Sequence, residues 1–188
     1  MPPVRGLIVI GCGVDSGEIP VAIAACMAAR AAGEQANPFA SVAIGPSAEA
    51  DAGLVAELHA APALAHRDTA SPALAASHSG RTLDPRELVD AARAVADEAV
   101  LVAAAPGGFF APLTDHYTNR DFARELGVPV VVAARAAGGV VGQVRVTGEA
   151  ARAAGLRVAA VVLTGWPTRR AASSSMSAAC WASSSACR

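Results

Sequence analysis

The feature of this sequence that most constrains its fold is a series of five short, nearly continuous apolar runs. They lie at residues 6–10, 39–44, 99–103, 128–133 and 157–163. Their side chains are apolar at successive positions instead of alternating with polar ones, which is typical of parallel strands buried on both faces. Helical stretches separate the runs, so the sequence predicts an α/β fold: a doubly wound parallel sheet flanked by helices. Ligands bind such sheets beyond the carboxyl ends of the strands.

The helices between these runs are predicted from spacing and from end signals. We expect them at residues 20–32, 50–60, 85–96, 119–126 and 143–154. Asp84, Pro85 and Glu87 have the arrangement of a capping box at the start of the third helix, and Thr118 is the expected N-cap of the fourth. Glycines at 33, 127 and 155 follow the predicted C-terminal ends, where a left-handed residue commonly terminates a helix.

Length and composition predict one domain with a short tail. The chain has 188 residues, of which 53% are hydrophobic, enough for one sizeable core over residues 1–168. Residues 169–188 read RRAASSSMSAACWASSSACR, with no acidic residue and no hydrophobic period. Such a segment buries little apolar surface, so we expect the C-terminal part to be truncated or disordered. A functional tail and a shifted reading frame are the alternatives.

Charge and cysteine usage exclude several classes of protein. The net charge is −1, and all 15 basic residues are arginine. The chain therefore cannot form a lysine Schiff base, cannot complete a G-x-x-x-x-G-K-[ST] phosphate loop, and shows no basic patch for nucleic acid. The four cysteines form no C-x-x-C pair, which favours free thiols in a reducing compartment. With no apolar run of membrane-spanning length and no signal-peptide pattern at the N-terminus, we expect a cytoplasmic protein without a membrane partner.

The glycine-rich turn after the first strand occupies the place of a phosphate-binding loop. Backbone N–H groups and a helix N-terminus could meet an anion there. The candidate nucleotide-binding residues are Gly13, Val14, Asp15, Ser16, Gly17, Glu18 and Ile19. Against this function, Glu18 carries a negative charge, Ile19 has no hydroxyl for magnesium, and Pro20 has no N–H and favours the first helical position. The alternative is a structural turn in which Asp15 or Ser16 satisfies nearby backbone donors.

Four segments together resemble a known family. Residues 106–119, PGGFFAPLTDHYTN, are similar to the "GGLLVPLTDxYTN" segment of dethiobiotin synthetases. Residues 124–131 are similar to "DLGLPVVLV", and residues 153–167 to "AAGLRVAGVVLNGWP". The opening residues 6–33 align without gaps onto "GLFVTGTDTGVGKTVVAAALARALRAAG". The resemblance covers about residues 6–167, and the PLTD-x-Y-T-N block is its most specific part.

This resemblance implies a P-loop NTPase-like fold, usually in a homodimer. The family uses ATP, magnesium and carbon dioxide to close the ureido ring of dethiobiotin on 7,8-diaminopelargonate, a step of biotin biosynthesis. A carbamate on one amine is phosphorylated and then attacked by the second amine. Such chemistry needs cations over the transferring phosphoryl group.

The family's charged positions are occupied by other residues here. The loop lysine falls on Glu18 and its following threonine on Ile19. The lysine of the "KPV" motif falls on Ala40, and the magnesium-binding glutamate of "EGxGG" falls on Ala104. Core positions keep their apolar character, so the replacements are concentrated at catalytic positions. The resemblance therefore implies a family member without activity, in which no catalytic residue is intact.

Further family positions are also changed. The loop aspartate and its preceding threonine fall on Gly13 and Cys12, and the "GTINH" turn reads GVVGQ at residues 139–143. Only Asp51 stands where the family has its second magnesium ligand; the alternative is an N-cap or a solvated carboxylate. Three hypotheses remain: an inactive enzyme, a non-catalytic partner or small-ligand-binding pseudoenzyme that dimerises with itself or a paralogue, and the product of a damaged gene.

For three residues the sequence leaves two roles open. Arg135 follows the fourth strand and either lies near the ligand crevice or caps a strand end. His116 and Tyr117 lie in the segment that the family uses for both substrate binding and dimer contacts, and the sequence does not separate those roles.

Overall fold

The computed structural model describes residues 4–40, 42–45, 48–58, 64–66, 71–80 and 82–166. The strands are β1 Gly6–Gly11, β2 Ala36–Ala40, β3 Val42–Ile44, β4 Leu64–His66, β5 Val100–Ala105, β6 Val130–Arg135 and β7 Val158–Thr164. The helices are α1 Glu18–Ala31, α2 Ala48–Leu58, α3 Pro72–His78, α4 Pro85–Glu98, α5 Asn119–Leu126 and α6 Val140–Ala153. The predicted tail at 169–188 lies outside the described residues. None of the helices in the described ranges has the length and apolar character needed to cross a membrane.

The main sheet has the order β2-β5-β1-β6-β7, and every strand pair in it is parallel. This confirms the predicted doubly wound α/β fold. The central strand β1 lies between β5 and β6, and its Ile8, Val9 and Ile10 are fully buried. The apolar character of β1, β5 and β6 follows from this burial on both faces of the sheet. The prediction was wrong for the run 157–163, because every residue of the edge strand β7 is at least partly exposed.

Two apolar clusters cover the two faces of the sheet. One joins the sheet to α4, α5 and α6 through residues such as Val89, Phe122 and Ala151. The other joins it to α1 and α2 through residues such as Ile23 and Val55. The sheet is therefore the middle layer of three, and the carboxyl ends of all five strands meet at one edge.

The structure corrects several predicted boundaries, among them the start of α2, which lies at Ala48 and not at residue 50. The run 39–44 is not one strand: its first part belongs to β2 in the main sheet, and β3 pairs with β4 in a separate two-stranded sheet. Helix α1 begins at Glu18 and not at Pro20, because Gly17 adopts a left-handed conformation and acts as N-cap. Helix α6 begins at Val140, three residues earlier than predicted. Helix α3 had no counterpart among the predicted elements.

The predicted N-caps of α4 and α5 are confirmed by their hydrogen bonds. The Asp84 carboxylate accepts from the Arg86 N–H at 2.7 Å and caps α4. At the start of α5, the Asp121 carboxylate accepts from both the N–H and the hydroxyl of Thr118, at 3.0 and 2.7 Å. Burial raises the pKa of Asp121, but these bonds and the neighbouring Arg120 outweigh it and hold that pKa below its usual value.

Candidate functional site

The candidate phosphate loop connects β1 to α1 at the carboxyl edge of the sheet. Its backbone is fixed from within: the Ser16 hydroxyl accepts from the Gly13 N–H at 3.1 Å and donates to the Gly13 carbonyl at 2.9 Å. The Thr164 hydroxyl, at the end of β7, donates to the Ser16 carbonyl at 2.8 Å. The loop is therefore held in a defined turn. Ser16 satisfies a backbone donor, as expected if this segment is a structural turn.

Gly17 ends this loop in a conformation that suits glycine. Its φ is 77°, and a Cβ built on it would lie 2.9 Å from Thr164 Cγ2. A side chain here would meet both backbone strain and the threonine that holds the loop.

We expect Gly17→Ala to lower the free energy of unfolding by about 2–4 kcal/mol, from left-handed strain plus displacement of Thr164. Urea unfolding measures this loss. Gly33→Ala is the matched control, because Gly33 has a φ of 87° but nothing within 4 Å of a built Cβ. The control should lose only the strain, about 1–2 kcal/mol. Equal losses in the two variants would show that the Thr164 contact contributes nothing.

The Glu18 carboxylate is buried beside this loop. The residue is 5% exposed, and its Oε1 accepts from the Gly107 N–H at 3.3 Å. A Cβ built on Gly11 would lie 2.9 Å from Oε2, so the carboxylate lies against the last residue of β1. Burial raises the pKa of the neighbouring Cys12 thiol, and the Glu18 charge adds to the rise although a hydrogen bond to Thr147 opposes it. An acidic side chain is thus held at the carboxyl end of β1, where an anionic ligand would have to approach.

A second carboxylate lies on the outer side of the loop. Asp15 has a φ of 61°, which is uncommon for a residue other than glycine. Its carboxylate accepts from Arg135 Nη1 at 3.2 Å, and both side chains are substantially exposed. Arg135 therefore lies beside the loop at the end of β6, and its charge is directed at Asp15.

The positions that correspond to the family's lysine and magnesium ligands form an apolar wall. Ala40 and Ala104 are register partners on β2 and β5, and both are nearly fully buried. Ile19, on the first turn of α1, is packed into the same apolar cluster. The structure therefore brings these sequence-predicted positions together, with methyl and branched aliphatic groups where the resemblance would require an amine, a carboxylate and a hydroxyl.

The turn before α6 likewise has an apolar residue at a position that is polar in the family motif. Gly139 is its left-handed N-cap, with a φ of 81°. Val140, at the threonine position of the "GTINH" turn, is 4% exposed and packs with Ala134 and Val144 in a separate apolar cluster. A hydrophobic contact thus occupies another position that is polar in the motif.

The candidate metal residue, Asp51, lies in α2, but its side chain is outside what the structure describes. Within the described ranges, no group of three or more histidine, cysteine, aspartate or glutamate side chains is arranged to hold a metal ion. A magnesium site at Asp51 therefore stays a prediction.

The segment from Pro112 to Asn119 fixes the loop that faces Glu18. Asn119 is 1% exposed, and its Nδ2 donates to the carbonyls of Pro106 and Gly108 at 2.8 and 2.9 Å. These two carbonyls flank Gly107, whose N–H donates to Glu18. The sequence placed Asn119 at the start of a helix but did not indicate this bridging role; the Gly-Gly pair upstream was the available signal for a loop that needs an anchor.

His116 and Tyr117 differ in their burial. His116 is exposed, whereas Tyr117 packs against the cluster that contains Phe122. Burial raises the pKa of Tyr117 well above its usual value, and the Glu125 and Asp121 carboxylates add to the rise. Tyr117 therefore contributes to packing, and a role of His116 in substrate or dimer contacts stays a prediction.

Sequence comparisons agree with this architecture. A family model described as an AAA domain matches residues 5–182. The ATP-dependent dethiobiotin synthetase BioD of Anaeromyxobacter dehalogenans strain 2CP-C is 40% identical over 170 residues, which cover 85% of this chain and 76% of that protein. The protein of the same name from Caulobacter vibrioides strain NA1000 is 31% identical over 174 residues, covering 85% and 80%.

Solved structures show the same fold at low sequence identity. The kinase domain of the Escherichia coli tyrosine kinase ETK has a TM-score of 0.52 at 13% identity, covering 89% of this chain and 71% of that one. The signal recognition particle receptor FtsY from Elizabethkingia anophelis has a TM-score of 0.50 at 14% identity, covering 87% and 51%. At these identities the likeness concerns the fold alone.

Proposed function

This chain belongs to the dethiobiotin synthetase family, and from that premise we propose that it is a catalytically inactive member, a folded pseudoenzyme. The family activity is an ATP- and magnesium-dependent ligase reaction that closes the ureido ring on 7,8-diaminopelargonate. The observation that carries the proposal is the buried Glu18 carboxylate at the position of the loop lysine.

Electrostatics at the loop opposes nucleotide binding. A phosphate approaching the N-terminus of α1 would meet the Glu18 carboxylate instead of an ammonium group. At a separation of about 4 Å and an effective dielectric of about 20, two like unit charges repel by about 4 kcal/mol. Repulsion of this size offsets the attraction that the helix N-terminus and the backbone donors supply.

The residues of the apolar wall do not fit a magnesium–nucleotide complex. Magnesium prefers oxygen ligands in octahedral geometry, and the alanine and isoleucine side chains at 19, 40 and 104 offer none. ATP and magnesium are the family's cofactors, but these positions provide no side chain to hold them. The residues at these positions therefore supply no ligand for a phosphoryl-transfer step.

The replacement of these charged and polar residues is expected to lower turnover by a large factor. Removing one transition-state cation or oxyanion donor typically costs a factor of about 10² to 10⁵ in turnover. Two lysines, one metal carboxylate and one metal hydroxyl are replaced at the matched positions. Turnover is therefore expected to fall to the uncatalysed background.

A specific observation favours a folded pseudoenzyme over the product of a damaged gene. Ile19, Ala40 and Ala104 are not scattered defects, because they pack into one cluster with complete burial of the strand ends. The loop between β1 and α1 is also ordered by internal hydrogen bonds between Gly13 and Ser16. As a second candidate function, such a protein would act as a non-catalytic partner, in a homodimer or with an active paralogue, or as a binder of a small molecule.

Nucleotide calorimetry separates these functions from an active enzyme. ATP with magnesium should give no binding heat at micromolar concentrations, and dethiobiotin formation should equal the background without protein. Micromolar affinity for ATP would refute the proposal. Co-purification with a lysine-bearing homologue would favour the partner function, and a cooperative thermal transition would exclude a misfolded product.

A further inference from the structure

An open cavity of about 310 Å³ lies between α5 and α6. It is lined by the ring of Phe110, by Arg120 and Arg124 of α5, and by alanines at the C-terminal end of α6: Ala150, Ala153 and Ala154. Both helices pack on the face of the sheet opposite the one that α1 and α2 cover. This α5–α6 cavity is therefore separate from the loop between β1 and α1.

Phe110 contributes an aromatic ring that is held in place at the protein surface. The residue is 56% exposed, whereas the preceding Phe109 is 4% exposed. The two rings meet edge to face, with their centroids 5.1 Å apart and an angle of 79° between their planes. Aromatic pairs prefer this arrangement, so the buried ring orients the exposed one. Phe110 therefore offers an ordered apolar surface to a planar ligand.

Arg120 is fixed beside this ring. Its Nε and Nη2 donate to Oδ1 of Asp121 at 3.2 and 2.9 Å, and its guanidinium carbon lies 5.7 Å from the centroid of the Phe110 ring. That distance is within the range of a cation–π interaction. Asp121 is itself held by Thr118 at the start of α5. Because Arg120 is ordered before any ligand arrives, binding does not have to bear the entropic cost of ordering it.

Arg124 supplies a positive charge that no described residue neutralises. It lies one turn beyond Arg120 on the same side of α5, and it is exposed. Within the described part of the chain its guanidinium makes no hydrogen bond or ion pair, and no acidic side chain lines the cavity. A free guanidinium matches a carboxylate through two parallel hydrogen bonds. The charge of the cavity therefore favours an anionic ligand.

We propose that the α5–α6 cavity binds a small aromatic carboxylate. The carboxylate pairs with Arg124, and the ring of the ligand lies against Phe110 and the three alanines. A cavity of about 150 Å³ holds benzene, and sites for small molecules begin near about 300 Å³, so this volume suits one or two fused rings. Since Arg120 already donates to Asp121, one complete guanidinium remains, which favours a single carboxylate. This inference is independent of the proposed loss of activity.

The test is a calorimetric titration of the full chain with 2-naphthoate at low ionic strength, where exposed charges are least screened. The parent should bind with a dissociation constant of about 1 mM or lower, as is typical of a ligand of this size. The neutral 2-naphthamide has the same rings and nearly the same shape but no charge. It should bind at least about tenfold more weakly, because it cannot form the charge-assisted pair with Arg124.

Two variants locate the binding site. Arg124→Gln should raise the dissociation constant of 2-naphthoate at least about tenfold, and Phe110→Ala about threefold or more. Arg145→Gln is the matched control, because Arg145 is an exposed arginine of α6 that does not line the cavity, and it should leave the affinity unchanged.

Three results would overturn the proposal. They are no binding to the parent, equal affinities for 2-naphthoate and 2-naphthamide, and equal affinities of Arg124→Gln and Arg145→Gln for 2-naphthoate. Loss of 2-naphthoate binding as the protein concentration rises would indicate a second copy of the chain in the cavity, and it would overturn the proposal as well.

Discussion

Replacing Glu18 by lysine is expected to tighten the binding of ATP by at least about 100-fold relative to the parent, which corresponds to about 2.7 kcal/mol. The substitution changes a repulsive charge pair into an attractive one. The interaction energy of each charge pair is about 4 kcal/mol at about 4 Å and an effective dielectric of about 20. The expected gain in binding free energy is therefore well below the difference between the repulsive and the attractive pair. The loop that would receive the phosphates already has its turn fixed by Ser16 and Thr164. Isothermal calorimetry with ATP measures the difference.

Glu18→Gln is the matched control for this experiment. It keeps the size of the side chain and removes only the charge, so its affinity should lie between those of the parent and Glu18→Lys. The lysine variant should still form no dethiobiotin, because Ala40 and Ala104 remain in the apolar wall. Equal affinities in all three proteins would show that the charge at position 18 does not govern binding.

The second large effect is expected from Asn119→Ala, which should lower the free energy of unfolding by about 2–5 kcal/mol. The side chain is buried, and its amide bridges the carbonyls of Pro106 and Gly108. Its removal leaves the Pro106 carbonyl without this donor, at a cost of about 1–3 kcal/mol, and takes one hydrogen bond, worth about 0.5–1.5 kcal/mol, from the Gly108 carbonyl, which still accepts from the Ala111 N–H. For a domain of this size the melting temperature should fall by about 5–15 °C.

Gln143→Ala is the control for this loss, because Gln143 is an exposed amide on α6. Its unfolding free energy should change by less than about 0.5 kcal/mol. Asn119→Asp tests whether the side chain must donate hydrogen bonds. It keeps the shape of the side chain but directs a carboxylate oxygen at the two carbonyls in place of the N–H donor. Stability close to that of the parent in either Asn119 variant would contradict the bridging role.

Much of the fold was predictable from local patterns. The runs at 6–10 and 128–133 became β1 and β6 with shifts of one or two residues, because continuous β-branched apolar residues favour a strand covered on both faces. The start of α5 at Asn119 and its end before Gly127 were predicted because a capping threonine and a left-handed glycine lie at the two ends.

The errors arose where tertiary context decides. The run 39–44 is uniformly apolar, so its periodicity contains no information about which of two sheets each half joins. Pro20 suggested a helix start, but it is tolerated at the third helical position because N–H groups of the first turn have no intrahelical acceptor. The beginning of α1 was instead set by the left-handed Gly17.

The candidate site was predictable by position but not in its contacts. Alignment of the segments placed Glu18, Ala40 and Ala104 at catalytic positions of the family, and the structure places Ala40 opposite Ala104. The direction of the Glu18 side chain towards Gly107 depends on the loop that Asn119 holds, and residues so far apart in sequence carry no local signal of their contact. Arg135 and Asp15 are likewise far apart in sequence, so no local signal indicates their ion pair.

We propose that this dethiobiotin synthetase family member does not close the ureido ring. The most direct test incubates the full chain with ATP, magnesium, bicarbonate and 7,8-diaminopelargonate and quantifies dethiobiotin by mass spectrometry. We predict a yield equal to that of the reaction without protein. Dethiobiotin formation above this background that requires ATP and is abolished by Gly17→Ala, in a variant shown to remain folded, would contradict the claim.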